Sequence, residues 1–289
     1  MITNPFAYEA PASIDEAVRA LGRSPNAKII AGGHSLLPLM KLGLATPDTL
    51  IDLRKIPGLT DIRREADGAV VIGALATHRA VSEDANVKRT LTALAEAAGA
   101  VGDVQVRSRG TLGGSLAHAD PAADEPAPTL AFDATIRVIG PKETRDIAAR
   151  DFFQGTFETA VQHGEIVLEI RFPPVPGRTG SAYANFPHPA SGFAIVGIAA
   201  VITTKTDGTI EKAAIGVTGA AAAPFRATGS ERALIGKKGS ADAIESAAKR
   251  AAEGVTTLDD LAASSEYRAH LVTVYAKRAI TRAIQRASS

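Results

Sequence analysis

The sequence predicts an α+β fold, in which a region of mixed strands and helices is followed by a unit of antiparallel sheet plus helices. Short extended runs and amphipathic helical runs alternate through the first 172 residues. The segment Pro173 to Gly180 then holds three prolines and two glycines in eight residues, the strongest linker signal in the chain. Beyond it, two extended runs flank Asp207-Gly208 in a hairpin pattern, and two helical runs finish the sequence. With 289 residues the chain exceeds one average domain, so two or three lobes are expected.

Taken in order, Pro11-Ala12-Ser13-Ile14-Asp15-Glu16 opens a helix: Ser13 caps it, Glu16 completes a capping box, and Ile14, Ala17, Val18 and Leu21 form one apolar stripe. Residues 27–31 read as a strand ending in a glycine pair, 36–41 as one helical turn and 49–53 as a second strand. A strand at 68–74 precedes a short helix at 78–83 capped by Thr77, and a longer helix follows at about 87–99. Val101 to Arg107 is too polar and irregular for a core helix and leads into a second glycine pair. Residues 111–118 and 130–140 read as strands separated by a proline-rich turn at 121–128, and 165–172 reads as a strand. After the linker come strands at 181–186, 193–204 and 209–218, then helices at about 240–253 and 265–286. The last helix carries Leu271, Val274, Tyr275, Ala279 and Ile280 on one face, and a solvated basic side with Arg268, Lys277, Arg278, Arg282 and Arg286.

Composition narrows the function. Hydrophobic residues make up 45% but aromatics only 4%, so the core relies on close packing of small side chains. The net charge of +1 comes with no basic arm to neutralise a run of phosphates, which argues against nucleic acid as a partner. The 289 residues contain no cysteine, so disulfides, thiolate chemistry and cysteine-ligated iron–sulfur or zinc sites within them are excluded. No signal-peptide pattern and no membrane-spanning window is expected, and the default compartment is the cytoplasm. The histidines lack metal-ligand spacing, and no Ser-His-Asp set stands out.

The remaining chemistry lies in two glycine loops, Ile29-Ile30-Ala31-Gly32-Gly33-His34-Ser35-Leu36 and Arg109-Gly110-Thr111-Leu112-Gly113-Gly114-Ser115-Leu116. Adjacent glycines allow a sharp turn and close approach of a ligand, and converging N–H groups form an anion-binding concavity suited to a diphosphate. Neither loop has dinucleotide Gly-x-Gly-x-x-Gly spacing or a Gly-Lys-Ser/Thr phosphate loop.

Ala31-Gly32-Gly33-His34-Ser35-Leu36-Leu37-Pro38-Leu39-Met40-Lys41 with Leu50-Ile51-Asp52-Leu53 resembles the first FAD-binding motif of the flavoprotein subunit of molybdenum hydroxylases, the xanthine dehydrogenase and aerobic carbon monoxide dehydrogenase family. Val101 to Ser115 with Asp120-Pro121-Ala122-Ala123-Asp124 is similar to the second, and the likeness continues through Gly155-Thr156-Phe157, Glu165-Ile166-Val167, His188 to Ala194 and Ser265-Glu266-Tyr267-Arg268. The resemblance implies a PCMH-type FAD-binding fold: FAD-binding subdomains over 1–55 and 56–176, and a C-terminal flavoprotein domain of antiparallel sheet and helices over 177–289.

By that comparison non-covalent FAD is bound by Ile30, Ala31, Gly32, Gly33, His34, Ser35 and Leu36 of the first loop, and by Gly102, Val106, Gly110, Thr111, Gly113, Gly114, Ser115, Ala117, His118, Ala123 and Asp124 around the second. Ile166 and Val167 would lie on the adenine side and Phe193 at the isoalloxazine ring. The resemblance places the molybdenum cofactor on a large partner subunit and [2Fe-2S] clusters on a small one, in a dimer of heterotrimers that is cytoplasmic or membrane-associated through the complex. This chain would pass electrons to NAD, a quinone or oxygen, with no catalytic acid or base of its own. It departs from the pattern at Val104, where relatives usually have proline, and at Asn185, where they commonly have lysine. Two competing readings are a freestanding PCMH-type flavin oxidoreductase and a non-enzymatic scaffold that has lost FAD; intact glycine pairs and Asp124 speak against the scaffold.

Overall fold

A computed structural model describes residues 2–288 and shows α+β architecture. Three parallel strands in the order Ala7–Glu9, Thr49–Asp52, Ala27–Ile30 make the first sheet. Helix Ile14–Leu21 covers it with Ala17, Val18, Ala20 and Leu21. Ser13 caps that helix at the Glu16 N–H, while the Glu16 carboxylate turns back to the Ala12 N–H at 2.9 Å. Ile30 and Asp52 are paired at the carboxyl ends of neighbouring strands, the edge from which the first glycine loop departs.

Five antiparallel strands form the central sheet, in the order Ile62–Arg64, Val70–Gly73, Ile166–Phe172, Thr135–Ile139, Thr144–Ala148. Period-two alternation, reset by a bulge between Val167 and Glu169, divides its side chains between two cores. Val70, Ile72, Ile136, Val138 and Ile170 join a large helical layer, whereas Ile166 points into the core of the first sheet with Ile51, Leu59 and Leu75.

The third sheet is antiparallel, with Thr179–Pro187, Ala194–Thr204, Ile210–Thr218 and Phe225–Arg226 in sequence order. One face carries the long helix Ser265–Ser288, and the approach is so close that a Cβ at Gly180 would overlap the Ala283 carbonyl oxygen. The other face meets the central core: Tyr183 and Ala199 belong to that cluster, and a Cβ at Gly216 would overlap the Ala127 carbonyl. Among the described residues no helix is long and apolar enough to cross a membrane.

Several elements differ from the sequence reading. Residues 111–118 form a helix, Leu112–His118, rather than a strand: Thr111 Oγ1 caps the Gly114 N–H at 3.1 Å, and Leu112 and Leu116, one turn apart, are fully buried. Within 130–140 only Thr135–Ile139 is extended, because Pro126, preset for a first helical turn, starts a helix over Pro126–Ala131 inside the expected turn. The expected helix at 87–99 is two, Ala85–Thr90 and Thr92–Ala100, broken at Leu91 with φ −121° and ψ 46°. The first of the two last helices spans Ala241–Ala248 only. The basic side of the final helix is partly structural: buried Arg268 donates to the carbonyls of Ile195 and Gly219 and pairs with Asp260, while Arg282 and Arg286 donate to the carbonyls of Tyr183 and Ser181. Short strands at 7–9, 62–64, 144–148, 153–155, 158–159 and 225–226 add to the sequence reading.

Candidate functional site

The first glycine loop begins where strand Ala27–Ile30 ends and the one-and-a-half-turn helix Leu36–Lys41 has not yet started. Gly33 has φ +77°, a conformation that favours glycine. Gly32 is required for a different reason: its Cβ would overlap the Arg109 carbonyl, so the two glycine loops are in direct contact. Among the described residues, the N–H groups of Gly32, Gly33, His34, Ser35 and Leu36 donate to no protein acceptor, while the next one, Leu37, closes onto the Gly33 carbonyl at 3.0 Å. The Ser35 side chain does not cap the helix, and His34 Nδ1 lies 3.2 Å from the Gly32 carbonyl. A row of free donors at a positive helix end fits a diphosphate, which can accept several such bonds at once.

The second loop is built differently. Its N–H groups are engaged within the protein: Gly110 to Val106, Leu112 to Ala76, Gly113 to Ala74, Gly114 to the Thr111 hydroxyl oxygen and Ser115 to the Thr111 carbonyl. Its glycines serve protein packing as well. A Cβ would meet the His78 ring at Gly110, Ala74 at Gly113 and Thr111 Oγ1 at Gly114, at 2.6, 2.5 and 2.7 Å. The expected run of backbone donors is therefore confined to the first loop. What the second loop offers a ligand is the Ser115 hydroxyl, the Thr111 N–H and the hydroxyl hydrogen of Thr111.

Behind the second loop lies a buried polar cluster. Asp124 is 3% exposed, and its Oδ1 accepts from the Tyr183 hydroxyl at 2.6 Å and from Asn185 Nδ2 at 2.9 Å. Burial pushes the Asp124 carboxyl up to about 6; these two bonds oppose the rise and the neighbouring Glu125 charge adds to it. Fully buried Glu125 pairs through Oε1 with His78 Nδ1 at 2.8 Å, leaving Oε2 without a partner. Burial works against a charged His78, but the Glu125 charge and hydrogen bond outweigh it and raise the imidazole above its usual value. The Tyr183 hydroxyl is held far above the usual tyrosine range, first by burial and then by the Asp124 charge.

The other predicted residues fall into separate settings. Ala31 packs against the cluster that contains Ile166, close to the loop-to-loop contact. Ile166 and Val167 are both buried, with their side chains sealed in two different cores. Phe193, 50% exposed, ends a tight loop closed by His188 N–H to the Phe193 carbonyl at 2.7 Å. Gly192 of that loop sits against Gly102, and Val106, half-buried, packs under Gly102. Ala117 is exposed, and the His118 ring lies 5.0 Å from the ring of Phe157. The Ala123 carbonyl accepts from Thr218 Oγ1 at 2.6 Å and Ala122 from the Ala194 N–H at 3.2 Å, which ties the Asp124 turn to the third sheet. Val104 is exposed on the one-turn helix Val104–Arg107 capped by Asp103.

His78, Glu125 and Tyr183 were not singled out by the motifs. One signal for them was present: Asp124-Glu125 places two adjacent carboxyls between small apolar residues and Pro126, a stretch that has to be buried and therefore partnered.

Comparison with known proteins matches this architecture from end to end. Residues 4–175 match the family described as FAD binding domain in molybdopterin dehydrogenase, and residues 181–283 match the CO dehydrogenase flavoprotein C-terminal domain. The chain is 38% identical to the carbon monoxide dehydrogenase medium chain of Hydrogenophaga pseudoflava over 284 residues, 98% of each protein. It is 34% identical to the 6-hydroxypseudooxynicotine dehydrogenase complex subunit alpha of Paenarthrobacter nicotinovorans, covering 98% of this chain and 95% of that one. A solved carbon monoxide dehydrogenase from Hydrogenophaga pseudoflava that lacks the Mo-pyranopterin moiety of its cofactor superposes with a TM-score of 0.95 at 39% identity over 99% of both chains. The chain belongs to the FAD-binding medium-subunit family of the molybdenum hydroxylases, and is an oxidoreductase subunit whose cofactor is FAD. The free donors of Gly32 to Leu36 fit that cofactor's diphosphate.

Proposed function

We propose that this chain is the electron-exit subunit of a multisubunit molybdenum hydroxylase, working with a molybdenum-binding large subunit and an iron–sulfur small subunit in a dimer of heterotrimers. The observation that carries the reading is the row of five unspent N–H donors from Gly32 to Leu36, set in a chain that matches medium subunits over nearly its full length. Bound FAD would supply the redox chemistry for passing electrons from the small subunit's clusters to NAD, a quinone or oxygen. The residues of this chain hold it. Gly32 to Leu36 bind the diphosphate, Ser35, Thr111 and Ser115 present hydroxyls to the sugar-like portion, and Asp124 faces ring-proximal polar groups. Phe193 offers an exposed aromatic face to the isoalloxazine, and Ile166 and Val167 lie on the adenine side.

The absence of cysteine in these 289 residues supports keeping the [2Fe-2S] clusters on a partner. Substrate oxidation belongs to the large subunit in this reading: relatives named for carbon monoxide and for 6-hydroxypseudooxynicotine match the chain almost equally well, so substrate choice leaves little trace here. The reading places the complex in the cytoplasm, with any membrane association made through the complex. Denaturing the purified chain and identifying the released nucleotide tests the core of it. FAD is expected, and a chain that neither releases FAD nor takes it up on reconstitution refutes the proposal. Recovery from the native host as a lone species with full substrate turnover refutes the multisubunit part.

A further inference from the structure

Asp124 and Glu125 are adjacent buried carboxyls beside one buried imidazole, His78. The groups facing them come from two other elements, Tyr183 and Asn185 from strand Thr179–Pro187 and His78 from the helix His78–Glu83; the Arg107 charge, whose guanidinium donates to the Val101 and Gly102 carbonyls, acts on His78. His78 is committed to Glu125, whose Oε2 is sealed without a partner. Asp124 receives only neutral donors, both on Oδ1; its Oδ2 forms no hydrogen bond among the described residues and, unlike Glu125 Oε2, is not sealed from solvent. With both carboxyls ionised and at most one imidazolium beside them, these buried groups would carry at least one uncompensated negative charge, and a proton on Asp124 reduces it. The strand carrying Tyr183 and Asn185 turns these two side chains to Asp124 and its opposite face to helix Ser265–Ser288, so the Asp124 carboxyl is enclosed by the central core.

We propose that Asp124 is the proton-exchanging carboxyl of the flavin site, and that FAD binding is coupled to uptake of a proton at its Oδ2. The proposal rests on the reading that FAD is held against this face. Without ligand, burial has already brought the carboxyl to about 6, so at neutral pH it is mostly ionised and close to titrating. A ligand that covers Oδ2 removes its remaining water, which favours the neutral acid. Once protonated, Oδ2 becomes a hydrogen-bond donor instead of a bare acceptor. Asn185 makes this possible: it gives Asp124 a hydrogen bond without a charge, where an ammonium group would pin the carboxylate.

Titrating the full-length apoprotein with FAD by calorimetry, at about pH 7 in two buffers of different ionisation enthalpy, reads the proton directly. The wild type is expected to show net proton uptake, with FAD affinity falling by up to about tenfold per pH unit as the pH rises above the Asp124 midpoint. Asn185→Lys and Asp124→Asn should each abolish the uptake and flatten the pH profile, while His78→Gln should leave uptake in place. Buffer-independent heats in the wild type, or uptake that persists undiminished in Asp124→Asn, would overturn the proposal. Carbon-13 NMR of the aspartate carboxyls in the apoprotein, with Asp124→Asn for assignment, tests the same group without ligand: a midpoint near the ordinary carboxylate value overturns it. A wild type that binds no FAD while Asp124 still titrates near neutrality would refute the FAD reading and the coupling, and leave the carboxyl's proton exchange established.

Discussion

Two aspartates show how the same side chain takes opposite values in this fold. Asp52, 2% exposed, is disfavoured as an anion by burial, but bonds from the Arg54 guanidinium, the Tyr8 hydroxyl and the Arg54 N–H outweigh that and hold it at about 2. Its folded value lies below the unfolded one, so its contribution to stability is present above about pH 4 and is lost as the pH falls through about 2. Arg54 is half exposed, and solvent screening reduces the contribution to about 1 kcal/mol. Asp52→Asn should destabilise by that amount in urea melts at pH 7, the difference closing at strongly acid pH. Asp124 runs the other way. Its folded value of about 6 lies above the unfolded one, so the stability it contributes is complete below about pH 4 and is lost as the pH rises through about 6, a change of about 3 kcal/mol. Asp124→Asn should remove this pH-dependent component between about pH 4 and 7, and an unchanged slope would show that Asp124 is not the group responsible.

The elements explain which parts of the sequence could be read. The hairpin around Asp207-Gly208 was legible because Ala194–Thr204 and Ile210–Thr218 are long apolar strands, and Gly208 at φ +80° marks the turn. Helix His78–Glu83 was legible through its Thr77 cap, which holds the Ala80 N–H at 3.1 Å. Leu112–His118 was not, because its Gly-Gly pair lowers local helix propensity by about 1 kcal/mol per glycine, and tertiary contact decides the outcome. Both residues are forced by neighbours, Gly113 by Ala74 and Gly114 by the capping hydroxyl. The same contacts change what glycine substitutions report. Gly114→Ala should displace Thr111 Oγ1 and cost about 1 kcal/mol through the cap, with FAD affinity affected only as the loop shifts. Gly32→Ala collides with the Arg109 backbone, which has no flexible end to move, and should cost about 1–3 kcal/mol while also weakening FAD retention. Thermal melts with and without FAD separate the two variants: a Gly32→Ala protein with wild-type stability and affinity would mean that the loops do not touch. The candidate site was legible in the first loop, where glycine spacing dictates free donors. In the second it was legible only by resemblance, because the partners of Asp124 lie about 60 residues away on another sheet.

At the scale of the whole molecule two of the three cores are tied together at one carboxylate. Glu96, on helix Thr92–Ala100, accepts the Tyr183 N–H through Oε2 at 2.7 Å and the Arg286 guanidinium through Oε1 at 2.6 Å, and Arg286 donates in turn to the Ser181 carbonyl at 2.6 Å. One side chain thus joins the central helical layer, the edge strand of the third sheet and the C-terminal helix. It also fixes the strand that presents Tyr183 and Asn185 to Asp124. Removing it leaves the backbone N–H of buried Tyr183 without an acceptor and releases Arg286, so Glu96→Ala should destabilise the chain by about 2–3 kcal/mol. Glu96→Gln retains an acceptor for the Tyr183 N–H and should recover about half of that. Because the strand carries the partners of the candidate flavin site, the damage is not confined to stability: FAD affinity in Glu96→Ala should fall as well, although Glu96 has no place among the cofactor-binding residues. FAD at about 100 times its dissociation constant stabilises the folded chain by about 2.7 kcal/mol, so denaturant midpoints measured with and without FAD read both effects in one experiment. A Glu96→Ala protein that loses stability yet keeps the full FAD-induced shift at low FAD concentration would show that the third sheet is mechanically independent of the flavin site. A reduced shift would show that the site is held in shape from the far side of the molecule.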